Sequence, residues 1–360
     1  MRPLHFRYAC AFGVIAAVAV ALAVSACAPE EITPASVTFT PDPVVTRQPV
    51  ADPPEDPIPA VAWPLTGMDA TEADPVLLAR PSIAIKIPNE GAHSRPQKGL
   101  EYADIVFEQY VEAGIPRLVA VFHSNQPEEV GPVRSMREMD PNIVGSFQGP
   151  LVFSGANPKV MNYARSTGQL LIAQDLGDRG FFRTNDRRSP YNLHVTLAKV
   201  LEQAGDSPSP PQQFDYAYPA SLATSALSGT DATHIDLRMS RYGEPGWDWQ
   251  ADTGVWTRTE FGEPDITMDG NQISATNVVV LLVKIHYNWG LPVTEMIVSN
   301  RPGYVATGGK YIPILWSKSE RTGKYVLTTE DGQPVALAAG QTWVELIPNE
   351  GASGAHANFS

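Results

Sequence analysis

The stretch DIVFEQYVEAGIPRLVAVFH, Asp104 to His123, decides how this chain reads. Its two runs, DIVFEQY and RLVAVFH, are rich in β-branched and aromatic residues. They are separated by VEAGIP, whose glycine and proline can turn the chain, so a β-hairpin is predicted. Before it, SIAIKI at Ser82–Ile87 alternates and adds a strand; after it, PLVFS at Pro150–Ser154 is a continuous apolar run suited to a buried strand. Asn157 or Pro158 then opens PKVMNYARSTG, with Val160, Tyr163 and Ala164 at helical spacing and Gly168 as a stop. A further strand is expected at Gln169–Ala173 and a helix over Asn192–Ala204, closed by Gly205.

Past the polar, proline-rich DSPSPPQQ (Asp206–Gln213) the pattern is nearly all β. HIDLRMS, WDWQAD, VWTRTE, NVVVLLVKIHY, YIPILWSK and QTWVELIP alternate with glycine-containing turns, Asp331-Gly332 being the strongest hairpin signal. Trp247, Trp249, Trp256, Trp316 and Trp343 read as core. The expected fold is α+β or α/β: an N-terminal mixed α/β sandwich domain over residues 76–212, then a mainly antiparallel β domain over 213–348 and a tail at 349–360.

The N-terminus reads differently. Arg2 and Arg7 precede an uncharged apolar run, Ala9 to Val24, closing on Val24-Ser25-Ala26-Cys27, which marks a secretory signal peptide over residues 1–27. Cys10 leaves with that run, so the mature monomer is expected to hold no disulfide and no cysteine-based metal site. From Pro29 to Pro75 there are eleven prolines and nine acids against one base, Arg47, a composition that cannot offset its ordering entropy. Residues 28–75 are therefore expected to form a disordered spacer.

Net charge is -13 but unevenly spread: residues 131–188 hold seven arginines and one lysine against five acids. An acidic extracytoplasmic protein is a poor nucleic-acid partner, so this locally basic segment calls for another explanation.

PNEGAHSRPQKGLEYADIVFEQYVEAGIPRLVAVF, VGPVRSMRE and the closing GQTWVELIP together resemble the YerB family of bacterial lipoproteins. The N-terminal part of that family is a domain of unknown function numbered 3048, and a separate C-terminal domain follows it. The resemblance covers roughly residues 80–348. It implies a lipid-anchored envelope protein of two domains and carries no activity with it; separately, Val24-Ser25-Ala26-Cys27 resembles a lipoprotein lipobox, which would put the lipid on Cys27, with simple secretion as the alternative. Where the family usually shows a histidine before Asn192, this chain has Tyr191.

Candidate site residues follow from the basic segment. GPVRSMRE, residues 131–138, reads as a helix start: Gly131 caps, Pro132 takes the first position, and Arg134 and Arg137 flank Ser135 beside N–H groups that attract anions. Local pairing of Arg134 with Glu138 and of Arg137 with Asp140 is the alternative. Arg187 and Arg188, in the polar loop FRTNDRRSPYN, would complete the site, as would Asn89, Arg95 and Gln97 in PNEGAHSRPQ. His194 and Glu108 are the candidates for proton transfer. No G-x-S-x-G, metal-spaced histidine pair or phosphate-cradling glycine loop occurs, so no metal or cofactor is expected. The function expected is binding of an anionic envelope ligand, a phosphodiester polymer or peptidoglycan precursor. A hydrolase or transferase using the same site and a scaffold for envelope proteins are the alternatives.

Overall fold

The computed structural model describes residues 58–360, so the expected signal peptide, Cys27 and most of the expected spacer lie outside the described residues. β1 (Ile83–Pro88) pairs antiparallel with β3 (Pro116–Phe122), and β3 pairs antiparallel with β2 (Ile105–Tyr110), which is the hairpin of the opening stretch. β4 (Leu151–Phe153) joins β1 in parallel and β5 (Leu171–Ala173) joins β4 in parallel. The intervening α1 (Pro158–Ser166) begins at Asn157, whose side chain accepts from the Lys159 N–H, and buries Val160 and Ala164.

The sheet continues into the later chain. β2 pairs in parallel with β13 (Thr342–Glu350), β13 with β9 (Asn277–Asn288), and β9 antiparallel with β11 (Val298–Thr307), which meets β12 (Lys310–Lys318). A short β10 (Leu291–Thr294) folds back on the end of β9. Among the described residues this makes one 12-stranded sheet that runs through both segments. The isoleucines of β1, with Val106, Val280 and Trp343, pack against a second, six-stranded sheet that buries Trp247 on β7 (Pro245–Gln250) and Trp256 on β8 (Val255–Glu260). The opposite face, with Phe107, Val119 and Val344, is covered by Met136, Ile143, Phe147 and Tyr325. Three layers therefore bury both faces of the central sheet.

Three expectations are corrected. The spacer ends before residue 75: Ala62 bridges Asp69, and Leu65 and Ala70 are buried, so the body begins within the proline-rich composition. Residues 192–204 are not one helix. They form β6 (Leu193–Thr196) and then the short α2 (Leu197–Leu201), because Val195 and His194 are held in a small sheet against neighbouring strands.

GPVRSMRE is not a helix start either. It crosses the sheet edge as an extended strap: the N–H groups of Val133, Arg134 and Met136 donate to the carbonyls of Leu193 (2.6 Å), Lys86 (2.8 Å) and Gly155 (3.0 Å). Those donors are consumed by tertiary contacts, so no helix end presents them to an anion. Gly131 is required by close approach, since a Cβ there would lie 2.4 Å from the His194 ring. The helix that does follow begins only at Asp140.

Candidate functional site

Pairing directions set β1, β2, β4, β5, β9 and β13 running the same way, with β3 opposed. Their C-terminal ends form one edge, the usual ligand-binding side of a parallel sheet. The strap lies across this edge between β1 and β4, which brings Arg134, Ser135 and Arg137 to the start of β3, where Arg117 sits.

Arg117 is 5% exposed; its Nη1 donates to the Ser135 carbonyl (3.0 Å), while its Nε has no partner. Arg137 donates through Nε to the Glu112 carboxylate (2.7 Å) and through Nη1 to the Ser135 and Met136 carbonyls (3.1 and 2.9 Å). Arg134 is half-buried, 3.4 Å from Glu90, with its guanidinium 5.4 Å from the Tyr191 ring centre and its Nε unpartnered. Three guanidinium groups thus share the edge with two carboxylates. Burial, then the charges of Arg137 and Arg134, pull Arg117 well below its ordinary value, to about 9. Burial alone would push the Glu112 carboxyl up, yet Arg137 holds it below its ordinary value. An excess of buried positive charge is a standing attraction for an anion.

The edge is built from beneath by Lys86 and Asp140. Lys86 is fully buried and donates to Asp140 (2.9 Å), and Asp140 also accepts from Gln109 Nε2 (2.5 Å) and the Arg137 N–H (2.6 Å). Burial lowers Lys86 to about 8, opposed by Asp140 and reinforced by Arg117 and Arg137. This network fixes the strap; it does not face a ligand. Ser135 Oγ lies 3.4 Å from Ser154 Oγ at the end of β4.

Beside the arginines opens a cleft of about 390 Å³ lined by His93, Arg95, Asp186, Arg187, Arg188 and Tyr191. Tyr191 joins the two parts: its hydroxyl donates to Glu90 (2.7 Å), its ring lies against His93 (centres 5.8 Å apart), and Arg134 sits over it. Arg187 binds Asp186 (2.7 Å) and the Pro96 carbonyl (3.0 Å), leaving Nη1 unpartnered, and Arg188 is exposed. Arg95 reaches Glu260 (3.0 Å) and Asn89 Oδ1 (2.9 Å).

The sequence-predicted residues therefore divide. Arg134, Ser135, Arg137, Arg187, Arg188 and Arg95 converge at or beside one edge. Asn89 and Gln97 are buried, their amides directed inward: Asn89 donates to Glu108 (2.6 Å), and Gln97 donates to the Pro88 carbonyl (3.2 Å) and to Asn89 (3.2 Å). Glu108 is fully buried between Asn89 and Arg258 (2.7 Å), and His194 is fully buried against Glu129 (2.8 Å). Each is thus engaged inside the body rather than presented at the surface. Arg117 and Tyr191 also stand at this edge and were not singled out from the sequence. An arginine opening an otherwise apolar strand was the available signal for Arg117, whereas nothing local distinguishes Tyr191.

A description of the N-terminal domain of a protein family of unknown function (DUF3048) matches residues 65–209, and that of its C-terminal domain matches residues 235–344. The chain belongs to the DUF3048 family. A DUF3048 relative, the YerB protein of Bacillus subtilis (strain 168), a candidate lipoprotein by name, is 23% identical over 304 residues, covering 79% of this chain and 86% of YerB. The crystal structure of YerB from Bacillus subtilis superposes with a TM-score of 0.70 at 22% identity, covering 83% of this chain and 99% of that one. The DUF3048 fold is shared; no ligand or reaction comes with it.

Proposed function

We propose that this DUF3048 protein is an extracytoplasmic lipoprotein, anchored through Cys27, that holds an anionic cell-envelope ligand at the arginine edge. A phosphodiester polymer or a peptidoglycan precursor has the required charge. The observation that carries this is Arg117: a guanidinium that is 5% exposed, flanked by Arg134 and Arg137, with a donor left unpartnered. Buried charge of that kind is costly unless something pairs with it. The adjoining cleft supplies Arg187 and Arg188 along the same surface. With His194 and Glu108 engaged inside the body, binding is favoured over turnover.

Calorimetric titration of the full chain in detergent with polyphosphate tests the reading. Native protein should bind in a salt-sensitive manner, and Arg134→Ala should weaken binding by about 1.5–3 kcal/mol, the worth of one charged hydrogen bond. An absence of binding by native protein, or binding by Arg134→Ala within about twofold of native, refutes it.

A further inference from the structure

Two turns on this body carry an aromatic residue where the backbone disfavours one. Asn288 pairs with Leu291, leaving Trp289 and Gly290 as a two-residue loop with φ of 52° and 79°. Glu260 pairs with Glu263, leaving Phe261 and Gly262 with φ of 53° and 76°. Tight hairpin turns with both φ positive favour Asn-Gly or Asp-Gly, because a bulky side chain rarely adopts the left-handed region. Here each turn instead exposes a large ring: Trp289 is 45% exposed and Phe261 46%. Residues held in sparsely populated backbone regions cluster at ligand clamps and other functional sites.

Both turns are tied to the arginine edge. Asn288, preceding Trp289, donates to Glu138 (2.8 Å), the residue after Arg137. Glu260, preceding Phe261, is buried and binds Arg95 (3.0 Å), a residue that lines the cleft. Lys159 lies 5.8 Å from the Trp289 ring centre, and Tyr287, 59% exposed, stands two residues before the tip. Isolated rings set beside cations complement a chain that carries both apolar ring faces and anionic groups. Pyranose sugars present such faces through their C–H groups, which lie against the electron-rich face of an aromatic ring. A bilayer interface also takes up tryptophan, tyrosine and lysine, so a lipid surface is the competing occupant that the test separates.

We infer that the ligand of the arginine edge is an anionic glycan, with sugar rings stacked on Trp289 and Phe261 and acidic groups held by the neighbouring arginines. This rests on the anion-binding reading and adds the sugar ring to it. Asparagine tolerates the left-handed region, so Trp289→Asn and Phe261→Asn remove a ring without straining the fold.

The test titrates full chain in detergent with oligogalacturonate (acidic pyranose), polyphosphate (anionic, no ring) and anionic phospholipid vesicles. Trp289→Asn should weaken oligogalacturonate binding about tenfold, leave polyphosphate binding unchanged, and melt no lower than native protein. Oligogalacturonate binding within about twofold of native for both variants overturns the glycan while leaving the anion site standing. Vesicle binding that Trp289→Asn abolishes overturns it in favour of a lipid surface. If native protein binds neither oligogalacturonate nor polyphosphate, the anion reading itself fails.

Discussion

Glu345→Gln should change how stability responds to pH, and the reason lies under the central sheet. Glu345 on β13 is in register with Glu108 on β2, and Arg258 donates to Glu108 and Glu260 (2.7 Å each) and pairs with Asp265. Arg95 is the second cation, 3.0 Å from Glu260, so four carboxylates face two guanidinium groups. Burial, then the Glu108 charge, raises Glu345 well above 4.5, and the folded state keeps a proton on this pair. A raised folded-state value means stability is fully present below 4.5 and is lost as pH rises through the folded value. One linked proton makes that loss at most about 1.4 kcal/mol per pH unit inside the window.

Glutamine keeps the shape, keeps an oxygen for the Trp247 N–H that Glu345 now accepts (3.0 Å), and has no proton to lose. The variant should therefore match native protein in acid and gain on it steadily as pH rises. Denaturant unfolding at several pH values from about 4.5 upward measures the difference directly. A difference that stays constant within about 0.3 kcal/mol over two pH units would refute the idea that Glu345 is buried as the neutral acid.

Leu65→Ala removes a fully buried side chain from the proline-rich segment and should cost about 2–5 kcal/mol in denaturant unfolding; a surface-like effect near zero would detach that segment from the body. Gly131→Ala places a Cβ 2.4 Å from the His194 ring and should destabilise by about 1–3 kcal/mol, seen as a lowered melting temperature. His123 is fully inaccessible, and burial, aided by Arg80, lowers it from 6.5 to about 4. A depressed histidine favours the unfolded chain as acid is added, so stability should fall between those two values by up to about 3 kcal/mol, and His123→Gln should flatten that portion of the pH profile.

The hairpin at Asp104–His123 was legible because its pattern is local: apolar runs of strand length separated by glycine and proline. The same is true of α1, whose cap and stop stand in sequence. GPVRSMRE misled because a Pro at the first helical position and an extended proline strap look alike until the partners of its N–H groups are known, and those partners, Lys86, Gly155 and Leu193, are distant in sequence. Glu108 and His194 looked available for chemistry for a related reason. Sequence shows a titratable group but not the Arg258 or Glu129 that engages it. The concentration of arginine was visible in composition, and its convergence with Arg117 was not, since β3 lies outside the basic segment. Tyr191 gains its role from Glu90 and Arg134, neither of which is its neighbour in the chain.

The parallel seam between β2 and β13 has a consequence for biogenesis. One side of Ile105–Glu108 pairs with β3, and the other finds its partners in Thr342–Glu345, far along the chain. During synthesis the N-terminal portion emerges first, with β2 paired on one side and its other backbone groups open. Until the last strand arrives, that apolar rim is a template for pairing with another chain. Such a chain has reason to be held by a chaperone until its last strand arrives, and a chain shortened before Thr342 would be expected to aggregate rather than persist as a smaller folded unit.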